Sequence, residues 1–154
     1  MRELRVALIQ LKVLKSKEQN LRKVEDMITD VAYKGCNMVI LPEMFNCPYK
    51  PGNYPIYSEK QGGNAWQRLS RAAKHNQVYL VCGSMPEIEN DKIYNTSYVF
   101  DPLGYEIAKF RKIHMFDIDV TEGQAFNESA TITKGNIPAI FDTPYGKVGL
   151  ALGY

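Results

Sequence analysis

The chain has 154 residues, 45% of them apolar, 11% aromatic and 23% charged. A length of that order predicts one domain burying roughly 70% of its unfolded surface, and the composition excludes a disordered tail, a collagen and a disulfide knot. Nineteen Lys and Arg against seventeen Asp and Glu leave +2, too even a balance to steer the chain to nucleic acid or to an anionic membrane, so partners have to be sought in sites.

The opening stretch, 4–11, is nearly continuous in apolar residues and reads as a strand covered on both faces, central in a sheet. Its Val6-Ala7-Leu8-Ile9 run is cut short by Gln10 and Lys12 before it could serve as a signal-peptide core. No run nears the roughly 18 apolar residues of a membrane span, so the expected compartment is cytoplasmic. Ser16 and Gln19 have the capping-box spacing, and Leu21, Val24, Ile28, Val31 and Ala32 recur at three- and four-residue steps, which predicts a helix ended by Gly35. Met38-Val39-Ile40-Leu41 is a short buried strand. Pro42 cannot donate to a ladder, so the strand stops there and delivers Glu43 at its C-terminal tip.

From 44 to 63 Pro, Gly, Asn and Tyr accumulate and periodicity vanishes, marking a long loop of the kind that covers a site or a partner surface. Asn64 is the expected cap of a second helix that turns Trp66, Leu69, Ala72 and Ala73 inward, with His75 complementing its C-terminus. Strands follow at 78–81, 93–100 and 105–110, the last two joined by the turn Asp101-Pro102-Leu103-Gly104. After a loop over 111–138, a hairpin pairs 139–143 with 147–152 through Pro144-Tyr145-Gly146. Strands alternating with helices and followed by hairpins make an α/β arrangement, one unit over 1–154 with no internal repeat or linker. The apolar Val148-Gly149-Leu150-Ala151-Leu152 expects neighbours on both sides, so the sheet reads as unfinished.

Cys36, Cys47 and Cys82 form an odd set without a C-x-x-C pair, and His75 and His114 lie far apart, which argues against both a zinc site and a disulfide framework. Cys36 and Cys82 read as small core hydrophobes. Cys47 sits in a loop where exposure is expected, yet no neighbour in sequence would lower its pKa. Neither G-x-G-x-x-G after the first strand nor G-x-x-x-x-G-K-[ST] is present, and no G-x-S-x-G elbow offers a serine nucleophile. His114 with Asp117 and Asp119 reads as a hydrogen-bonded loop rather than a metal site.

Three segments stand out: Leu41-Pro42-Glu43, then Phe110-Arg111-Lys112-Ile113-His114-Met115-Phe116-Asp117, then Phe141-Asp142-Thr143-Pro144-Tyr145-Gly146-Lys147-Val148-Gly149-Leu150-Ala151. With Phe45-Asn46-Cys47-Pro48-Tyr49, Tyr94-Asn95-Thr96 and Phe126-Asn127-Glu128-Ser129 in order between them, the chain resembles the nitrilase, or carbon–nitrogen hydrolase, superfamily, and within it the omega-amidase-like branch. The resemblance implies a four-layer α-β-β-α sandwich, present here as its first half, and hydrolysis of a small-molecule amide to acid and ammonia, without cofactor or metal. On that pattern Glu43 matches the general base, Lys112 the cation that stabilises the oxyanion, and Glu128 an auxiliary acid that orients the lysine or the substrate. Phe45 and Tyr49 are candidates for lining the acyl pocket. The residue types suit the chemistry: a thiol near pKa 8.5 needs a carboxylate to take its proton, and the oxyanion needs a fixed positive charge worth about 3–4 kcal/mol.

The resemblance breaks at the nucleophile. The family places its cysteine after the strand that follows the Tyr-Gly-Lys-Val-Gly turn, and here that position is Gly153, followed by Tyr154. Glycine tolerates a strained elbow but offers no sulfur. Two readings stay open: an amidase whose nucleophile is altered or lost, leaving this chain inactive as given, and a non-catalytic binding or oligomerisation module built on the same fold. Members of the superfamily commonly assemble, which implies a homo-oligomer.

Overall fold

Ser16 caps the first helix as its spacing requires: its hydroxyl accepts the Gln19 N–H at 3.2 Å, and α1 runs over Lys17–Tyr33. Leu21, Val24 and Ile28 form its buried stripe. At its end Gly35 takes φ +86°, a left-handed turn natural to glycine, and the N–H groups of Gly35 and Cys36 bond back to the Ala32 and Val31 carbonyls. The structure, a computed structural model, describes residues 3–120 and 124–153.

Six strands make the main sheet. β1 (Val6–Leu8), β2 (Met38–Ile40) and β3 (Tyr79–Val81) run parallel, while β4 (Met85–Glu89), β5 (Lys92–Phe100) and β6 (Glu106–Arg111) pair antiparallel around β5. The expectation that the first strand is central is corrected. β1 is an edge strand paired to β2, with Val6 44% and Leu8 76% exposed, because an apolar run specifies burial but not which neighbour the sheet will supply. No sequence pattern announces β4. Pro86, Glu87 and Glu89 argue against a strand, yet β4 lies at an edge, where proline is tolerated, and Asn90 and Asp91 both adopt positive φ to close a tight hairpin into β5.

On one face of this sheet α1 packs with α3 (Asn64–Asn76). Leu69 and Ala73 meet Val24, Ile28, Val39, Leu80 and Phe100 in the larger core, where a fully buried Leu or Phe stabilises by roughly 1.5–3 kcal/mol. Asn64 is the first residue of α3 rather than its cap. The helix is capped from outside by Glu59, whose Oε2 accepts the Ala65 N–H at 2.9 Å, a partnership no local pattern announces. On the opposite face a hairpin of β9 (Ala139–Thr143) and β10 (Gly146–Leu150) lays Phe141, Val148 and Leu150 against Met38, Val81 and Val99. A helical layer, a sheet and the beginning of a second β-layer are therefore present, and among the described residues no helix covers the outer side of that hairpin.

The segments expected as plain loops carry structure. Within 44–63 lie a 3-10 turn (Pro51–Asn53) and the short α2 (Tyr54–Tyr57), and within 111–138 lie the hairpin of β7 (Asp117–Val120) with β8 (Gln124–Asn127) and a 3-10 turn (Glu128–Ala130). Met44, Cys47, Tyr54 and Ile132 form a small core beneath the first of these. Exposure of Cys47 is thereby corrected: the side chain is wholly buried, and burial pushes its thiol up to about 12. Cys82 is buried and shifted the same way, whereas Cys36, expected in the core, is only half-buried. In the native protein Ellman's reagent is expected to titrate Cys36 alone, with Cys47 and Cys82 reacting only on unfolding. Rapid native reaction of Cys47 would contradict this packing.

Candidate functional site

Glu43 is held by the backbone around it. Leu41 N–H bonds to the Val81 carbonyl at 2.9 Å, Pro42 ends the ladder, and Met44 turns through φ +52°, its N–H accepted by Ser84 Oγ at 3.0 Å. Gly83 permits this: a Cβ there would stand 2.0 Å from the Pro42 carbonyl oxygen, so only glycine lets the chain leaving β3 pass so close behind the Glu43 turn.

Lys112 follows β6 directly, its N–H bonded to the Asn95 carbonyl and its carbonyl to the Gly135 N–H, both at 2.8 Å. Strand alternation sends its side chain to the face opposite Arg111. Lys112 Nζ, 2% exposed as a residue, donates to Glu43 Oε1 at 2.8 Å and to Glu128 Oε2 at 2.9 Å. Glu128 opens its 3-10 turn fully buried, and the same Oε2 accepts the Phe116 N–H at 2.9 Å. Burial by itself drives the Lys112 ammonium pKa down, and the hydrogen bonds to Glu43 and Glu128, with their charges, carry it above the ordinary lysine value. The lysine is a fixed cation between two carboxylates.

Asn95 joins the two acids. Its Nδ2 donates to Glu43 Oε1 at 2.8 Å and to Glu128 Oε1 at 3.3 Å from a fully buried position on β5. In the sequence Asn95 stands within the Tyr94-Asn95-Thr96 motif with no role of its own. The signal lies in the strand: asparagine is depleted in strands, and the polar run Asn95-Thr96-Ser97 in the middle of one asks for polar partners. Thr96 points to the other side and donates to Glu87 Oε2 at 2.7 Å. That buried glutamate also takes both Arg111 and Lys109. Burial would raise its carboxyl pKa, but these hydrogen bonds outweigh it and hold the group below its usual range. Two ionic clusters thus sit back to back across β5 and β6.

Gly153 meets the first cluster from the C-terminal side. It has φ +59°, and a Cβ built on it would lie 3.0 Å from Lys112 Cε and 3.3 Å from Lys112 Nζ. Glu43, Tyr49, Lys112, His114, Phe116 and Gly153 line a cavity of about 250 Å³. Tyr49 is stacked on Phe126 at 5.3 Å. Of the residues singled out by sequence, Glu43, Lys112, Glu128, Tyr49 and Gly153 therefore converge. Phe45 does not: it is fully buried in the larger core with Ile9, Leu41 and Tyr98 and lies outside the cavity wall. Tyr154 lies outside the described residues.

His114 faces the cavity, while Asp117 accepts the Ser129 N–H at 2.9 Å, which lowers its pKa. Among the described residues no group of three or more His, Cys, Asp or Glu could hold a metal ion, and no helix is long and apolar enough to cross a membrane.

A carboxylate, a cation and a second carboxylate around a cavity also occur in unrelated proteins. The deciding observation is that the family model for carbon–nitrogen hydrolases matches residues 5–154. The chain belongs to the carbon–nitrogen hydrolase family. This carbon–nitrogen hydrolase chain is 47% identical over 150 residues to omega-amidase NIT2 of Mus musculus, covering 97% of itself and 54% of that relative. It is 45% identical over 154 residues to omega-amidase NIT2 of Homo sapiens, covering 100% and 56%. Among solved structures it is similar to Saccharomyces cerevisiae Nit3, a member of branch 10 of the nitrilase superfamily, with TM-score 0.84 and 33% identity over 96% of this chain and 54% of that one. The carbon–nitrogen hydrolase chain spans about half the length of the curated relatives it matches.

Proposed function

We propose that the cavity beside Lys112 is an amide site, in which Glu43, Lys112 and Glu128 are the helpers of an omega-amidase-like hydrolysis and Gly153 occupies the position of the nucleophile. One observation carries the reading: a side chain at 153 would begin 3.3 Å from Lys112 Nζ, in the wall of the same cavity. With a thiol there, sulfur bonds to the carbonyl carbon while Glu43 takes its proton. The carbonyl oxygen gathers negative charge beside Lys112. Glu43 then gives the proton to the nitrogen, the C–N bond breaks and ammonia leaves; water attacks the thioester with Glu43 again as base, the C–S bond breaks, the acid is released and the proton returns to sulfur. Glu128, buried and bonded to Lys112, keeps the ammonium in place.

With glycine the first bond has no atom to form from, so this chain as given turns over no amide at an appreciable rate. The second reading, a non-catalytic module that keeps the pocket, shares that absence. Installing the missing sulfur by Gly153→Cys and measuring ammonia release from small amides separates the two.

The small-molecule amide, a cytoplasmic location and a homo-oligomer belong to the same reading. Exposed apolar side chains support self-association: Leu8 on β1 is 76% exposed, Ile140 on β9 68% and Ile137 71%. Light scattering is expected to show a mass that rises with concentration in the micromolar range. A constant monomer mass would count against assembly.

A further inference from the structure

An ammonium has three protons, and each one on Lys112 already has an acceptor: Glu43 Oε1 at 2.8 Å, Glu128 Oε2 at 2.9 Å and Tyr49 Oη at 3.3 Å. An amide carbonyl entering the cavity finds no proton of Lys112 unengaged. The two carboxylate bonds are short and charge-assisted, and the phenol contact is the long one. Because Tyr49 accepts through its oxygen, its own proton remains to be given, and no acceptor for it occurs among the described residues. Tyr49 is 41% exposed, and its ring is held by its aromatic neighbours. It lies parallel to Phe126, 5.3 Å away at 6°, with Tyr54 edge-on at 6.1 Å, and it lines the cavity together with Lys112 and Gly153.

We propose that the Tyr49 hydroxyl donates a hydrogen bond to the carbonyl oxygen of the bound amide and so passes the influence of Lys112 to that oxygen. The proposal rests on the reading of the cavity as an amide site and names the atom that recognises the carbonyl. A donor that is itself accepting from a cation is polarised, which strengthens the bond it gives. Partial burial, and then the Glu43 and Glu128 charges, raise the phenol above its ordinary value against the opposing effect of Lys112, so it keeps its proton at neutral pH. The ligand class follows. A primary amide supplies an acceptor oxygen at the phenol and a nitrogen for Glu43, whereas an amine of the same size lacks the acceptor.

The test titrates carbonyl-13C propionamide into the chain as it stands and into Tyr49→Phe, following the bound carbonyl resonance and the affinity. Phenylalanine keeps the ring and its stacking on Phe126, so the thermal midpoint is expected to stay put. In the parent chain the bound resonance is expected downfield of free amide. In Tyr49→Phe it moves back toward the free value, and binding weakens about two- to tenfold, the loss of one hydrogen bond. Saturable binding with a resonance that Tyr49→Phe leaves unmoved would overturn the proposal while the amide site stands. No saturable binding by the parent chain would overturn both.

Discussion

Gly153→Cys is expected to convert an inert site into a reactive one, with amide hydrolysis rising on the order of 10³-fold or more over the parent chain, as the coupled loss of nucleophile and base in comparable triads suggests. Two costs oppose the substitution and both are small. At φ +59° a residue with a Cβ loses about 1–2 kcal/mol relative to glycine. The new Cβ also presses on Lys112 Cε and Nζ, at 3.0 and 3.3 Å, which are the far end of a flexible side chain and can give by a few tenths of an ångström. The adjacent ammonium favours the thiolate. Iodoacetamide should therefore modify the new thiol in the native state while Cys47 and Cys82 stay protected, and it should abolish the ammonia release. Adding Glu43→Gln should remove about 10²- to 10⁴-fold of the rate by deleting the proton acceptor, without slowing alkylation to the level of a buried thiol. A folded variant alkylated at residue 153 itself, beyond the reaction of Cys36, with no gain in ammonia release would refute the roles given to Glu43 and Lys112.

Lys112→Met is expected to lower stability by about 3–5 kcal/mol, read as a fall in the urea midpoint. The reason is what it leaves behind. Glu128 is fully buried, and its remaining donors are the Phe116 N–H and the distant end of Asn95, so deletion of the cation strands a charge that water cannot reach. Combining Lys112→Met with Glu128→Gln should recover much of the loss, because the pair is then removed together and no charge is left alone. An additive double variant would mean that the pair does not interact in the folded chain. The pH dependence has a definite sign. Lys112 is held above its unfolded value, so its contribution is complete below about pH 10.4 and fades only as pH rises through the folded value. At neutral pH the parent and the Lys112→Met variant should differ by the full amount.

Several features were legible in the residues because each depends on local spacing. The Ser16 cap, the stripe Leu21, Val24, Ile28, the stop at Gly35 and the strand ended by Pro42 all appear where the sequence put them. The position of β1 at the edge, the strand β4 and the capping of α3 by Glu59 do not follow from spacing. Each is settled by a partner far along the chain: β2 for the first, β5 for the second, the loop before α3 for the third. Phe45 illustrates the same limit within the candidate site. It is two residues from Glu43, yet its ring enters the core while Tyr49, farther along, reaches the cavity.

By itself the sequence determined the residue types and their order: an acid after a proline-stopped strand, a lysine after another, an acid ahead of the last hairpin, and a glycine at 153 after the last apolar strand. The tertiary structure alone decided that these groups touch. Glu43 and Lys112 are 69 positions apart and meet at 2.8 Å only because β2 and β6 end at the same side of one sheet. It also decided that Asn95 bridges the two acids, since strand alternation turns Asn95 and Lys112 to one face and Thr96 and Arg111 to the other. Local chemistry chooses which groups are available; long-range pairing, set by burial of the sheet faces, chooses which of them become neighbours.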